Sequence, residues 1–223
     1  MIMPINRLQL NFTGQAVNNQ SPSGKAEPNS RTSIFYINDF HGKSINMERT
    51  IAASNVFDSF TPSTPTDKLK LSSGDIQLGE PVLANKVMVE AQNIMGIMAS
   101  AVGNHECDMP DHIAELIPHM GYKLLACNVN TKSDSPLHGK IQKSYIQEIN
   151  GNKYGIIGAA PVDLFSRVKY ERVMNELQVD DIKNTVKDIQ SEVDKLKSQG
   201  VNKVILLSHV GFGYDQQIAQ NTD

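Results

Sequence analysis

Side chains that commonly bind metal ions follow four apolar segments of this sequence. Asp39 and His41 come after SIFYIN, and Asp75 comes after KLKLSSG. The segment IMASAV leads into GNHECD, and KVILLS is followed at once by His209. Carboxylate, imidazole and amide oxygen ligands suit Zn²⁺, Mn²⁺ or Fe²⁺ better than Ca²⁺, and the thiols are too few for a structural zinc site. The residue types therefore indicate a site for catalytic divalent cations.

The spacing of these residues indicates how the ions would be held. Two cations about 3.5–4 Å apart need one ligand that reaches both, and a carboxylate does this well, so Asp75 is the predicted bridge. Asp39 and His41 are two positions apart, which places both side chains on one side of an extended segment, where they could grip a single ion. Gly74 and Gly103 let the chain turn sharply beside the ligands, where a β-carbon would interfere.

Segments of strand type alternate with segments of helix type along the chain. Strands are predicted at residues 33–38, 68–75, 97–102, 123–129 and 203–208. Helices are predicted over 46–57, 84–96, 109–121 and 179–200, the last from apolar residues at steps of three and four. This alternation is typical of a layered α/β domain. In such sheets ligands bind beyond the carboxyl ends of the strands, and the candidate metal ligands all lie there.

One signal departs from a purely parallel sheet. Asn150 and Gly151 lie between two strand-like runs within 145–160. Asn-Gly is the strongest short hairpin signal, because both residues of the favoured turn have positive φ. The sheets are therefore predicted to be mixed.

Composition limits the classes of partner. The 223-residue chain has a net charge of −3, which argues against a nucleic-acid polymer, although a bound cation could still attract a small anionic substrate. No apolar run reaches the roughly 20 residues of a membrane-spanning helix. Cys107 and Cys127 form no disulfide framework in a chain of this length and are predicted to be reduced thiols.

The first part of the chain differs in composition from the remainder. Residues 1–31 are rich in Asn, Gln, Ser, Pro and Gly and are predicted to be a flexible leader. They contain neither the apolar block nor the small-residue cleavage site of a secretory signal peptide. We therefore expect a single domain over residues 32–223, and the compartment in which it works is left open.

Four short blocks resemble the successive motifs of the calcineurin-like metallophosphoesterases. They are DFH (39–41), GD (74–75), GNHE (103–106) and SHVG (208–211), in the order expected for that superfamily. The longer form GNHECD is similar to a block of its 5′-nucleotidase and UDP-sugar hydrolase branch. The resemblance extends from about Ser33 to the C-terminus. It implies a four-layer αββα sandwich with mixed sheets, incomplete at the C-terminus.

The resemblance also implies a function, a two-metal phosphoric ester hydrolase acting on a small phosphorylated substrate. That substrate would be a nucleotide or UDP-sugar, attacked at phosphorus by a metal-bound hydroxide. The ions would be zinc, manganese or iron, with Asp39 and His41 on the first, Asn104 and His209 on the second, and Asp75 on both. His105, paired with Asp108, would contact the phosphate and bind no metal. Glu106 is predicted to brace the loop.

The family pattern also contains features that this chain lacks. A Gly-His-x-His block, which would supply one more histidine to each ion, normally follows SHVG after a short interval, and 5′-nucleotidases carry a C-terminal domain that binds the nucleoside. Neither occurs before Asp223, so we expect a truncated chain whose own activity is open. The alternatives are a non-catalytic or inactive metal-binding domain and a cyclic-nucleotide phosphodiesterase of the same superfamily. Members of the branch are often periplasmic or extracellular.

Overall fold

The computed structural model describes residues 31–78, 82–168, 173 and 176–222, which form a layered α/β domain. The predicted leader lies outside the described residues, apart from Arg31, which begins the first strand. The domain boundary at residue 32 therefore stays a prediction. Within the described ranges, no helix combines the length and the apolar character that crossing a bilayer requires.

Four parallel strands form the first sheet, in the order β1-β2-β3-β4. The strands are β1 (Arg31–Ile37), β2 (Thr66–Ser72), β3 (Ala99–Ala101) and β4 (Lys123–Leu125). They are connected by helices α1 (Met47–Ser59), α2 (Val82–Met95) and α3 (Pro110–Leu116), with short 3-10 turns at Ser44–Asn46 and Ile117–His119. Because the strands are parallel, their carboxyl ends meet at one edge of the sheet.

A second sheet contains three strands in the order β6-β7-β9, while β5 and β8 form a separate antiparallel pair. The bounds are Val129–Thr131 for β5, Ser144–Ile149 for β6, Asn152–Ala159 for β7, Leu177–Val179 for β8 and Lys203–Ser208 for β9. Helices α4 (Leu164–Arg167) and α5 (Ile182–Ser198) precede β9, and α6 (Phe212–Asn221) follows it.

The predicted hairpin is confirmed. β6 and β7 pair antiparallel, and at their turn φ is +50° for Asn150 and +80° for Gly151, the backbone that Asn-Gly favours. β7 and β9 are parallel, so the second sheet is mixed.

Clusters of buried apolar side chains lie between the four layers of the domain. Leu69, Leu125, Ile156 and Leu207 belong to the cluster between the two sheets. Ile37, Met47, Met88 and Met95 join the first sheet to α1 and α2, and Ile157, Ile189, Val193 and Ile218 join the second sheet to α5 and α6. The order helix, sheet, sheet, helix confirms the predicted αββα sandwich.

Two local predictions are wrong, and one helix is missed. Segment 123–129 is not one strand, because the chain leaves the first sheet after Leu125 and the N–H of Cys127 donates to Gly158 of the second sheet at 2.8 Å. Val179 ends β8, and α5 begins later, after Asp181, whose carboxylate caps it by accepting from the N–H of Asn184. The missed helix is α6, after His209, where Gly211 before the helix, Gly213 within it and several polar residues conceal the helical pattern.

Gly158 lies where the two sheets approach each other. A β-carbon at this position would lie 2.2 Å from the carbonyl oxygen of Leu125, so Gly158→Ala should force β4 and β7 apart. We expect urea denaturation to show a loss of about 2–3 kcal/mol in the free energy of unfolding. Gly213→Ala is the control, since a β-carbon there meets no described atom within 4 Å. Equal losses in both variants would contradict the explanation.

Candidate metal centre

The loops that follow β1 and β2 are joined by backbone hydrogen bonds. The N–H of Asp39 donates to the carbonyl oxygen of Gly74 at 3.1 Å, and the N–H of His41 donates to that of Asp75 at 2.9 Å. These bonds continue the parallel pairing of the two strands beyond their ends. The candidate ligands of the two loops are therefore held in one hydrogen-bonded unit.

Three of the candidate ligands have a left-handed backbone. φ is +57° at Asp39, +51° at His41 and +53° at Asp75, and among the described non-glycine residues only Asn150 of the hairpin turn shares this property. Such backbones cost about 1–3 kcal/mol each and cluster at functional sites. The prediction of an extended Asp39-x-His41 segment is wrong, yet the two side chains do meet, with His41 Nε2 3.2 Å from Asp39 Oδ1.

The carboxylate of Asp75 lies at the centre of the cluster, and the residue is only 3% exposed. Its Oδ2 lies 3.4 Å from Nε2 of His41 and 3.3 Å from Nε2 of His209, while its Oδ1 accepts from the N–H of His105 at 2.9 Å. The side chains here form two sets of three possible ligand atoms, and within each set the atoms lie within 4.8 Å of one another. One set comes from His41, Asp75 and His105, and the other from Asp39, Asp75 and His209. Asp75 is common to both sets.

Electrostatic interactions couple Asp75 to His209. Burial raises the pKa of Asp75. The hydrogen bonds that its carboxylate accepts from the His209 ring and from the backbone N–H of His105, together with the electrostatic attraction of both imidazole groups, outweigh this effect and hold the pKa below its ordinary value. Burial lowers the pKa of His209, but the hydrogen bond and charge of Asp75 raise it to about 9. Nδ1 of His209 donates to the carbonyl oxygen of Ser73 at 2.6 Å. This bond fixes the orientation of the ring so that Nε2 faces Asp75. Metal-binding histidines are commonly oriented in this way, by donating their other ring N–H to a carbonyl or carboxylate oxygen.

His105 and Asp108 form the pair that the sequence predicts. Nδ1 of His105 lies 2.6 Å from Oδ2 of Asp108, so a hydrogen on Nδ1 is held by the carboxylate and Nε2 is left for other partners. The His105 ring also meets the ring of His41, with centroids 4.7 Å apart and planes at 65°. The pair therefore lies directly beside the candidate ligands.

Glu106 joins the loop after β2 to the loop after β3. Its buried carboxylate accepts from the N–H groups of Asp75 at 2.8 Å, Ile76 at 3.0 Å, Gln77 at 3.3 Å and Gly103 at 2.7 Å. Burial and the charge of Asp75 raise its pKa to about 7, against the lowering effect of these hydrogen bonds. The contacts show the bracing role expected of Glu106. The sequence contains no signal for its partners in the β2 loop, which are 29 to 31 positions away.

Glu106→Gln tests this bracing role. A glutamine offers one acceptor oxygen, and its NH₂ group would face backbone N–H donors, so at least one buried donor loses its partner. We expect the free energy of unfolding to fall by about 2–3 kcal/mol and the affinity for divalent ions to fall with it. Thermal denaturation and metal titration measure the two effects. Glu115→Gln, an exposed site on α3, is the control, and an equal change there would contradict the prediction.

Close contact between the loops explains the two glycines. A β-carbon on Gly103 would lie 2.1 Å from Oδ1 of Asp75, and one on Gly74 would lie 2.6 Å from the N atom of Gly103, which confirms the predicted interference. Asn104 is next to Gly103 and is 8% exposed. Its role as a ligand, and the division of the ligands between two ions, stay predictions.

Comparison with known proteins identifies 5′-nucleotidases as relatives. The venom 5′-nucleotidase of Gloydius brevicauda is 30% identical over 159 residues, which cover 68% of this chain and 26% of that protein. The 5′-nucleotidase of Bos taurus is 31% identical over 163 residues, covering 68% of this chain and 27% of that protein. The chain thus spans about a quarter of the length of these relatives. No model of a protein family matches it.

Solved structures give the same result for the fold. The 5′-nucleotidase precursor from Thermus thermophilus matches with a TM-score of 0.70 and 23% identity, covering 83% of this chain and 38% of that chain. The NAD nucleotidase of Haemophilus influenzae also gives 0.70 and 23%, covering 85% of this chain and 36% of that chain. The sequence relatives together with this fold confirm the resemblance to the 5′-nucleotidase branch that the sequence blocks indicate.

Proposed function

We propose that this chain is the metal-binding catalytic unit of a phosphoric ester hydrolase that acts on 5′-nucleotides. The observation that carries the proposal is the cluster of ligand atoms around Asp75 at the carboxyl ends of the strands. The similarity to 5′-nucleotidases supports the choice of substrate class. The chain would hydrolyse a nucleotide to a nucleoside and inorganic phosphate.

The donor set fits a pair of divalent cations that share one carboxylate. Asp75 belongs to both sets of ligand atoms, as a bridging ligand must. We assign Asp39 and His41, whose Oδ1 and Nε2 lie 3.2 Å apart, to one ion, Asn104 and His209 to the other, and Asp75 to both. This division differs from the two sets, in which Asp39 is grouped with His209 and His41 with His105. Zinc, manganese and iron all accept these ligands. When bound, the cations would supply positive charge to the phosphoryl oxygens and lower the pKa of a water molecule.

His105 is the residue we assign to the phosphoryl group. Its Nδ1 is engaged by Asp108 at 2.6 Å, which holds the ring so that Nε2 can donate to the substrate. Water forms the new bond to phosphorus and gives up a proton, while the bond to the nucleoside oxygen breaks and that oxygen takes a proton from Nε2. The proton released by the water returns the His105 ring to its starting state. Donors placed where the negative charge develops stabilise the transition state, since phosphoryl transfer depends mainly on positioning and electrostatics.

The test separates the hydrolysis products by chromatography after incubation with Mn²⁺, for the 223-residue chain and for the product of the reading frame extended past Asp223. AMP, UDP-glucose and 3′,5′-cyclic AMP are compared, with EDTA as the metal-free control. We expect hydrolysis of AMP that EDTA abolishes. Metal binding without hydrolysis by either chain would favour the non-catalytic alternative. Hydrolysis confined to the cyclic nucleotide would favour the phosphodiesterase alternative.

A further inference from the structure

We propose that Asp215 is a positioning residue, which acts through Ser208 to hold His209 at the ligand cluster around Asp75. Asp215 lies in the first turn of α6, and its Oδ1 accepts a hydrogen bond from the hydroxyl of Ser208 at 2.5 Å. The inference rests on the proposed function, because it takes His209 as a ligand of one ion. It adds a residue that acts on that ion only through other side chains.

His209 reaches the ligand cluster from the second sheet, whereas the other assigned ligands follow strands of the first sheet. The loops of the first sheet are joined by backbone hydrogen bonds and by the carboxylate of Glu106. His209 meets these loops through its ring, which lies 2.6 Å from the carbonyl oxygen of Ser73 and 3.3 Å from Oδ2 of Asp75. The position of that ring therefore depends on how the backbone of residues 208–211 is held.

The side chain of Ser208 links the turn that contains His209 to α6. Its hydroxyl donates to Asp215, and its Oγ accepts from the N–H of Val210 at 3.3 Å. A hydrogen bond from a serine to the backbone two residues on is a common way of fixing a turn. The N–H of His209 itself donates to the carbonyl oxygen of Ala159 in β7 at 2.9 Å. The peptide groups on both sides of His209 are therefore restrained.

Asp215 provides Ser208 with a fixed partner. Its N–H donates to the carbonyl oxygen of Gly211 at 3.0 Å, which closes the first turn of α6, and the helix dipole favours a carboxylate in that turn. Ile218 anchors the helix, because it is 3% exposed and belongs to the same apolar cluster as Val210. Gly211, the residue before the helix, has no side chain with which to cap it. Without the carboxylate of Asp215, the hydroxyl of Ser208 can rotate, and the turn loses its link to the helix.

Nuclear magnetic resonance of the metal-free 223-residue chain tests the positioning role in the absence of any ion. The hydrogen on Nδ1 of His209 is bonded to Ser73 at 2.6 Å and should give a slowly exchanging imidazole signal, which a His209→Asn variant identifies. We expect Asp215→Ala to broaden or remove this signal, because the ring is no longer held against the carbonyl oxygen. The corresponding signal from Nδ1 of His105, which is bonded to Asp108 at 2.6 Å, should stay unchanged and serves as the internal reference.

Titration with Mn²⁺ measures the consequence for the ion. We expect Asp215→Ala to weaken one of the two binding steps by roughly tenfold, the lower end of the cost of losing a group that orients a metal ligand, and to leave the other step unchanged. Ser208→Ala should have the same effect, and the double variant no larger one, because the two residues act along one path. Asp215→Asn keeps an oxygen that can accept from Ser208, so it should restore most of the signal and of the affinity. Ile218→Val is the control, since it loosens the packing of α6 without removing either partner of the hydrogen bond, and it should lower the melting temperature alone.

Three results would overturn the positioning role. The first is an unchanged His209 signal in Asp215→Ala. The second is an equal loss in Asp215→Ala and Asp215→Asn, which would assign the effect to the charge of the carboxylate. The third is an equal loss in Ile218→Val, which would show that the effect only follows the stability of α6.

The same samples separate this inference from the proposed function when hydrolysis of AMP is also measured. Loss of the His209 signal in Asp215→Ala, with no hydrolysis by the unaltered chain or by its extended form, would keep the positioning role and refute the hydrolase. Hydrolysis with an unchanged signal in Asp215→Ala would keep the hydrolase and refute the positioning role. If no chain binds Mn²⁺, the proposed function fails, whereas the His209 signal still decides whether Asp215 positions the ring.

Discussion

Asp75→Asn is expected to abolish binding of both metal ions while leaving the fold intact. The carboxylate lies between His41 and His209, at 3.4 and 3.3 Å, and belongs to both sets of ligand atoms. An asparagine keeps an oxygen that can accept from the N–H of His105, so the loop bond at 2.9 Å can persist. It loses the negative charge and the second oxygen that a bridge between cations needs.

Metal analysis after dialysis, together with thermal denaturation, measures this effect. We expect the content to fall from about two ions per chain to fewer than one, and phosphate release to fall by roughly 10³-fold or more, because several kcal/mol of charge stabilisation are lost. Asp194→Asn, the same chemical change at an exposed position of α5, is the control. Retention of two ions by Asp75→Asn would refute the bridging assignment.

His105→Asn is expected to separate metal binding from turnover. If His105 donates a proton to the leaving oxygen, its loss should lower kcat by roughly 10²–10⁴-fold, the usual contribution of a positioned acid or base. The metal content should stay unchanged, because the assigned ligands are other residues. Steady-state kinetics with AMP and metal analysis of the same preparation provide the two measurements.

The neighbouring His41 provides the matched comparison. His41→Asn removes an assigned ligand whose ring lies 4.7 Å from that of His105, so it should lower both metal content and turnover. Asp108→Asn should leave the metal in place and reduce turnover less than His105→Asn, because it only orients the ring. Loss of metal from His105→Asn would contradict this assignment. It would show that His105 is a ligand, together with His41 and Asp75, whose ligand atoms lie within 4.8 Å of its own.

Local patterns in the sequence are sufficient to predict the architecture. The apolar run at 203–208 coincides with β9, and Asn150-Gly151 marks the hairpin turn. The apolar residues at steps of three and four within 179–200 predict α5, although the helix itself begins only at Ile182. The placement of metal-binding residue types after strand ends also follows from the sequence, since parallel strands end at one edge. These features depend on contacts between near neighbours or on a repeating pattern.

Tertiary contacts decide the geometry of the site. Left-handed backbones are uncommon in non-glycine residues, although Asp and His adopt them more often than most. Those of Asp39, His41 and Asp75 are held by hydrogen bonds between two loops. The partners of Glu106 in the β2 loop are 29 to 31 positions away, and the carbonyl of Ser73 that orients His209 is 136 positions away. A sequence pattern records which residues could bind an ion. Only the folded chain brings their atoms within reach of one another, because that depends on contacts between residues remote in sequence.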